Sequence, residues 1–242
     1  MRTGIKALLV LATALAAAAA HAEQETERGI TRNPSALSDS ELDARLRFLE
    51  ERLDGGKKFT QYWQWGWTAI YGAGIPYGVT RAVTTDSPNS RVQHIVTAAK
   101  SAIGTARLVV WRHPGRHGAD PMREIEGGDT REAKLARLEE GEALLKAVAE
   151  RATHRTSWKS HAGNLALNLA GGGFILGFGC DSDVLESVLV GVGVGELNIW
   201  TAPKRGIQDL SDYETRFGMK TASRFDWAIV PTAGGAAIQV RF

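Results

Sequence analysis

The chain reads as mainly α: a helical bundle built from two apolar helical hairpins plus amphipathic helices, with a small β-hairpin at its C-terminus. Three observations predict this. Leucines recur at 4-3-4 spacing behind a capping box at Ser38 and Glu41. Two glycine-studded, charge-poor stretches between 162 and 202 are separated only by Asp181 to Asp183. The last segment, 223–242, abandons the helical period for strict alternation. With 43% hydrophobic and 23% charged residues in 242, usage is that of a globular protein, which excludes collagen-like, disordered and disulfide-scaffold classes.

Met1 to Ala22 has the three-part layout of a secretory signal: Arg2 and Lys6, an apolar run from Ala7 to Ala20, and small residues at Ala20 and Ala22 around His21. Residues 1–22 are therefore expected to be a signal peptide, 23–36 a polar flexible leader, and 37–242 a single helical domain ending in a β-hairpin (223–242). Lys and Arg number 29 against 27 Asp and Glu; without Arg2 and Lys6 the balance is even. Such a chain offers no general field for nucleic acid. Cys180 is the single cysteine, so no internal disulfide is available, and Asp181 and Asp183 beside it oppose a thiolate.

The first helix carries Leu42, Leu46, Leu49 and Leu53 on one face and Arg45, Arg47, Glu50, Glu51 and Arg52 on a face expected to be solvated, with Gly55 and Gly56 as a stop or bend. From Tyr62 to Val83 only Arg81 is charged, and Gly72, Gly74, Pro76 and Gly78 require a kink or a tightly apposed neighbour. Asp86 or Ser87 caps the next helix, with Pro88 in its first turn, running through Val92, Val96, Ile103 and Leu108 towards Trp111. His113 to Gly128 reads as loop. Asp129 with Glu132 opens a water-facing helix with Leu135, Leu138, Leu145 and Val148 as its buried stripe.

Ala162 to Cys180 holds no ionisable group before its cysteine, and Asp183 with Glu186 caps its partner, Val184 to Ala202. Each leg approaches the hydrocarbon thickness at about 1.5 Å per residue. Gly173 and Gly177, and Gly191 and Gly195, stand four apart, a spacing that lets helix backbones approach in lipid. A short polar helix follows around Asp209 to Phe217. Phe225, Trp227 and Ile229 then alternate with polar or small residues, as do Ile238, Val240 and Phe242 after the turn 231–235. A terminal phenylalanine on an alternating strand resembles the C-terminal signature of bacterial outer-membrane barrel proteins, over about ten residues. No other strand series accompanies it.

Trp63, Trp65, Trp67, Trp111, Trp158 and Trp200 fall at the ends of the apolar segments, as an interfacial aromatic belt requires. Lys57, Lys58, Arg112, Arg116, Arg155, Lys159, Lys204 and Arg205 gather at the same open end. A cleaved export signal would place that end outside the cytoplasm, against the usual positive-inside bias.

His113 and His117 are separated by Pro114 and Gly115, which break the helix that would aim both at one metal; no metal site and no cofactor is expected. Nucleotide and serine-nucleophile motifs are absent. What remains are polar residues within apolar segments: Glu196, His161, Asn164, Asn168, Lys100 and Arg107, with Lys100 or Arg107 as the expected partner of Glu196. The sequence thus predicts an exported, membrane-associated protein of a bacterial cell envelope with periplasmic portions. Its expected role is structural or interaction-based, without catalysis, among membrane lipid and a homo-oligomeric or envelope partner. The other reading is a soluble periplasmic helical protein binding a lipid or other apolar ligand. An enzyme would need His161, Asn164 and Glu196 to converge on a cavity.

Overall fold

A computed structural model describes residues 37–178, 181–218, 226–232 and 235–241. The signal at 1–22, the leader at 23–36, Cys180, Phe225 and Phe242 lie outside the described residues. The described part is mostly helical.

Ser38 opens helix α1 (Asp39–Thr84) by accepting a hydrogen bond from the Glu41 amide at 3.2 Å, leaving the leucine stripe in register for burial. The helix then runs unbroken for 46 residues. Gly55 and Gly56 do not end it. Mid-helix glycine costs about 1 kcal/mol relative to alanine, which packing offsets: the Arg205 guanidinium lies where a Gly55 side chain would begin, 2.8 Å from that point. Further on, Gly78 lets α1 meet the backbone of α2 (Pro88–Val110); a β-carbon there would sit 2.7 Å from the His94 carbonyl oxygen. Gly104 on α2 makes room in the same way for the Tyr71 ring. Ser87, not Asp86, caps α2, accepting from the Ser90 amide.

Segment 111–130 differs from the loop expected. It contains a 3-10 turn (Pro114–His117) and the one-turn helix α3 (Asp120–Arg123), and its Ala119 and Met122 are fully buried. Their apolar side chains close the core between α1 and α4 (Arg131–Thr156). Thr130 caps α4 in place of Asp129, because its hydroxyl is the group that reaches the Ala133 amide. Helices α5 (Trp158–Gly177), α6 (Asp181–Trp200) and α7 (Arg205–Arg216) follow. Two extended segments, β1 (Asp226–Thr232) and β2 (Gly235–Arg241), come last.

The first part of α1 packs with α4 and α7 around Leu42, Leu49, Leu138, Leu145 and Tyr213. A buried polar triad pins the three helices together. The Tyr213 hydroxyl donates to Glu142 Oε1 at 2.5 Å, and Arg45 Nη1 lies 3.6 Å from the same oxygen. Arg45 is therefore buried, not solvated as its face of the helix predicts, because a carboxylate on α4 that is only 2% exposed demands a cation. Burial, reinforced by the Glu142 charge, pushes the Tyr213 phenol well above its usual range.

The second part of the molecule buries Val96, Leu108 and Ile175 but differs in what else it exposes and buries. Trp65, Ile70 and Val83 on α1, Val110 on α2, Leu165 and Leu169 on α5, and Leu185, Leu189 and Leu197 on α6 are all exposed, while Asn168, Ser187 and Asn198 are buried. Among the described helices one stretch, within Val184–Arg216, is long and apolar enough to cross a membrane by length and composition, with mean hydropathy 1.3. Only 17% of that apolar window is buried.

Replacing Tyr213 with Phe removes a hydrogen bond to a charged acceptor at constant shape, an expected loss of about 2 kcal/mol in the unfolding free energy of the full chain in neutral detergent. Leu165→Ala, on an exposed face, should change it by less than about 0.5 kcal/mol in the same measurement.

Candidate functional site

Helical spacing places His161, Asn164 and Asn168 on one face of α5, and that face turns towards α6 and α2. Three and four residues apart, they stack one above the next along the helix. Lys100 reaches in from α2: its Nζ donates to Asn168 Oδ1 at 3.2 Å, to the Ser187 carbonyl at 3.1 Å and to the Ser187 hydroxyl at 3.3 Å. Asn168 Nδ2 donates to Asn164 Oδ1 at 3.0 Å, and Asn164 Nδ2 to Glu196 Oε1 at 2.9 Å and the Val192 carbonyl at 3.0 Å. The second carboxylate oxygen of Glu196 meets His161 Nδ1 at 2.6 Å.

The chain of bonds runs with one polarity. An ammonium faces the first amide oxygen, each amide nitrogen faces the next acceptor, and the last acceptor is a carboxylate. Both amide dipoles thereby lie head to tail between opposite charges, which lowers the cost of half-burying the Lys100 ammonium. Lys100 and Glu196 are thus linked through two asparagines, not by direct contact. Arg107 takes no part and is exposed on the outer turn of α2.

Glycines of α6 are the spatial condition for this network. A β-carbon at Gly191 would fall on Asn168 Oδ1 and 2.8 Å from Lys100 Nζ, and one at Gly195 would fall on the Asn164 amide. The glycines singled out on α5 behave differently: Gly173 and Gly177 face open space, and contact with neighbours passes through Gly171, against Val96, and Gly172, against Val188. A spacing of four fixes only that two glycines share a face. Which face is buried follows from Asn168 and Ile175, whose positions select 171 and 172.

His161, Asn164 and Glu196 do converge. Glu196 orients the imidazole through Nδ1, as a base-positioning carboxylate does. Among the described residues no hydroxyl or thiol is bonded to the other ring nitrogen, and no group of three or more His, Cys, Asp or Glu side chains is placed to hold a metal. The arrangement can fasten helices, and among the described residues it contains no activated nucleophile.

A second polar cluster lies at the open end. The Trp63 and Trp67 indoles both donate to the Thr201 hydroxyl, at 3.2 and 3.0 Å, while Trp65, Trp158 and Trp200 are turned outward. Under this collar, Arg155 stacks over Trp63 at 4.9 Å and donates to Asn198 Oδ1 at 3.0 Å. Gln64 ties α1 to the turn beyond α2, donating to the Leu108 carbonyl and accepting from the His113 amide. Asn198 is marked in the sequence by its polarity within an apolar segment, and His113, weighed there only as a metal ligand, carries no local signal of this role.

Burial, with repulsion from Arg151 and Arg155 added, pushes His113 from 6.5 down to about 4. The unfolded chain therefore binds a proton between those values that the folded chain refuses. The resulting stability is complete above pH 6.5 and is lost as the pH falls towards 4. Relative to His113→Gln, the native chain in phosphate-free neutral detergent should lose about 3 kcal/mol of unfolding free energy across that window.

No family model matches the chain, and neither a curated protein nor a solved structure matches it.

For the network, Gly191→Ala should lower the melting temperature by several degrees, since Asn168 must rotate away from Lys100 to admit the methyl group, at about 1–3 kcal/mol. Gly193→Ala, one turn face away with nothing within 4 Å, should leave it unchanged or raise it slightly.

Proposed function

We propose that this is an exported cell-envelope protein embedded in a membrane by two apolar helical hairpins, with a structural or interaction role and no catalysis. The hairpins are the distal half of α1 with α2, and α5 with α6. The first part of α1, with α4 and α7, forms a water-facing base, and the antiparallel pairing of β1 with β2 adds a small hairpin beyond it.

One observation carries the reading: the hairpins leave many large apolar side chains outside while Asn168, Ser187 and Asn198 are buried and Lys100 is half-buried against them. In water, that arrangement exposes apolar surface at about 25 cal/mol per Å2 and buries polar groups, losing twice. In hydrocarbon both choices are favourable, because the acyl chains take the apolar exterior and the protein satisfies its own polar interior. The base differs, with leucines inside and ion pairs such as Lys134–Asp43 and Arg123–Asp54 at its surface.

Helix lengths support the same setting. Twenty residues each in α5 and α6 give about 30 Å, the hydrocarbon thickness. Averaged hydropathy understates these helices because each mixes a polar inner face with an apolar outer one. Outward Trp65, Trp158 and Trp200 then mark the head-group level. The described cavity between α1, α4 and α7, about 200 Å3 and lined by residues including Leu53, Phe59, Leu145 and Val148, belongs to the base and is small for a lipid chain.

Alkaline carbonate treatment of membranes from a producing strain tests the proposal. The chain should remain with the pelleted bilayer and dissolve only with detergent. Its release into the wash, followed by purification as a soluble monomer without detergent, would exclude the membrane reading and leave the apolar-ligand carrier.

A further inference from the structure

The collar beneath the tryptophans contains hydrogen-bond donors and positive charge without a matching acceptor. His113 is 3% exposed, and its Nδ1 accepts from the Gly115 amide at 3.2 Å, so the proton of the neutral ring sits on Nε2. That Nε2 is buried and has no hydrogen-bond partner among the described residues. Asn198, 5% exposed, spends its oxygen on Arg155, and its buried Nδ2 likewise has no partner among the described residues.

Both unmet groups are donors in the neighbourhood of Arg155: Asn198 is bonded to it, and the His113 amide is held by Gln64, next in the chain to Trp63, whose ring Arg155 covers. Around Arg155 the charges are of one sign. Burial, with repulsion from Arg107 and Arg151 added, holds its guanidinium down to about 10. Among the described residues no carboxylate lies within ion-pair distance of Arg155; its contacts are an amide oxygen and the Trp63 ring. Buried Arg45, by contrast, is matched by Glu41 and Glu142. A buried donor without an acceptor costs about 1–3 kcal/mol, and a desolvated cation costs more.

We infer that Arg155, Asn198 and His113, flanked by Arg107, form a binding site for a phosphoryl oxyanion at the open end of the hairpins. A tetrahedral anion supplies what the cluster lacks: several acceptor oxygens and negative charge, which a guanidinium engages in two parallel bonds. The level of the outward tryptophans favours the phosphate of an anionic lipid head group as its source. That source rests on the membrane reading. The anion site does not, since it stands on the donors alone.

The test uses the full chain in neutral detergent micelles, with thermal unfolding and native mass spectrometry as readouts. Phosphatidylglycerol is compared with phosphatidylcholine, and inorganic phosphate with chloride at equal ionic strength. Phosphatidylglycerol should raise the melting temperature by about 3 °C or more over phosphatidylcholine and be retained as a bound molecule. Asn198→Asp places a carboxylate beside Arg155 at nearly constant shape; it should leave the chain folded and weaken that lipid's affinity at least about tenfold. Arg107→Gln, at an exposed position that spares the fold, should weaken it as well. An equal response to phosphate and to phosphatidylglycerol, abolished by Asn198→Asp, supports the site and assigns it to the free anion. No response to either, or the same response in both variants as in the native chain, overturns it. Release by carbonate with the phosphate response retained would remove the membrane reading and leave the anion site standing.

Discussion

A charged side chain placed among apolar surroundings must find its hydrogen-bond partners within the protein, and the distal half of this molecule is organised by that requirement. Lys100 and Glu196 sit on different helices, and the distance between them is filled by two asparagines whose amides carry the bonding from one charge to the other. Several choices in the sequence follow from it. Gly191 and Gly195 leave the space the amides occupy, Ser187 offers two further oxygens to the ammonium, and Gly171 lets Val96 and the stem of Lys100 approach α5. The glycines of α6 are thus unequal: two accommodate side chains from α5, and Gly193 between them faces outward.

Two parts with different surfaces share one continuous helix. In the base, leucines are interior and the few buried ions are matched at short range, Arg45 with Glu41 and Glu142. Past Trp63 the same helix carries large apolar residues on its outer face. The change is managed by side chains that are apolar in body and polar at the tip: Trp63 and Trp67 on Thr201, and Gln64 between Leu108 and His113. Such groups suit a boundary, since each satisfies one bond while presenting a hydrocarbon surface to the other side.

Much of the helix content was legible because its signals are local. Ser38 and Ser87 announce helix starts through their own hydroxyls, and the 3-4 spacing of His161, Asn164 and Asn168 puts them on one face whatever surrounds them. What was not legible depends on partners distant in the chain. Nothing near Gly55 says that Arg205 will cover it, so a glycine pair looked like a break. Arg45 looked solvated because its need, Glu142, lies almost a hundred residues on. Met122 and Ala119 were hidden in a segment whose Pro, Gly and charge content is that of a loop, although its few apolar residues complete the core. The choice of Gly171 and Gly172 over Gly173 and Gly177 needed the rotation of α5, and the linkage of Lys100 needed the register of three helices.

The unbroken course of α1 has a mechanical meaning. A 46-residue helix spans about 69 Å, and its first 37 residues, up to Pro76, form a stretch whose backbone ladder can transmit torque; Pro76 lacks the N–H that would continue that ladder. Turning its aromatic distal half about its axis turns Arg45, Leu49 and Leu53 through the same angle, against α4 and α7. The base and the aromatic stretch before Pro76 therefore turn together, and Pro76 sets how much of that rotation reaches the tip.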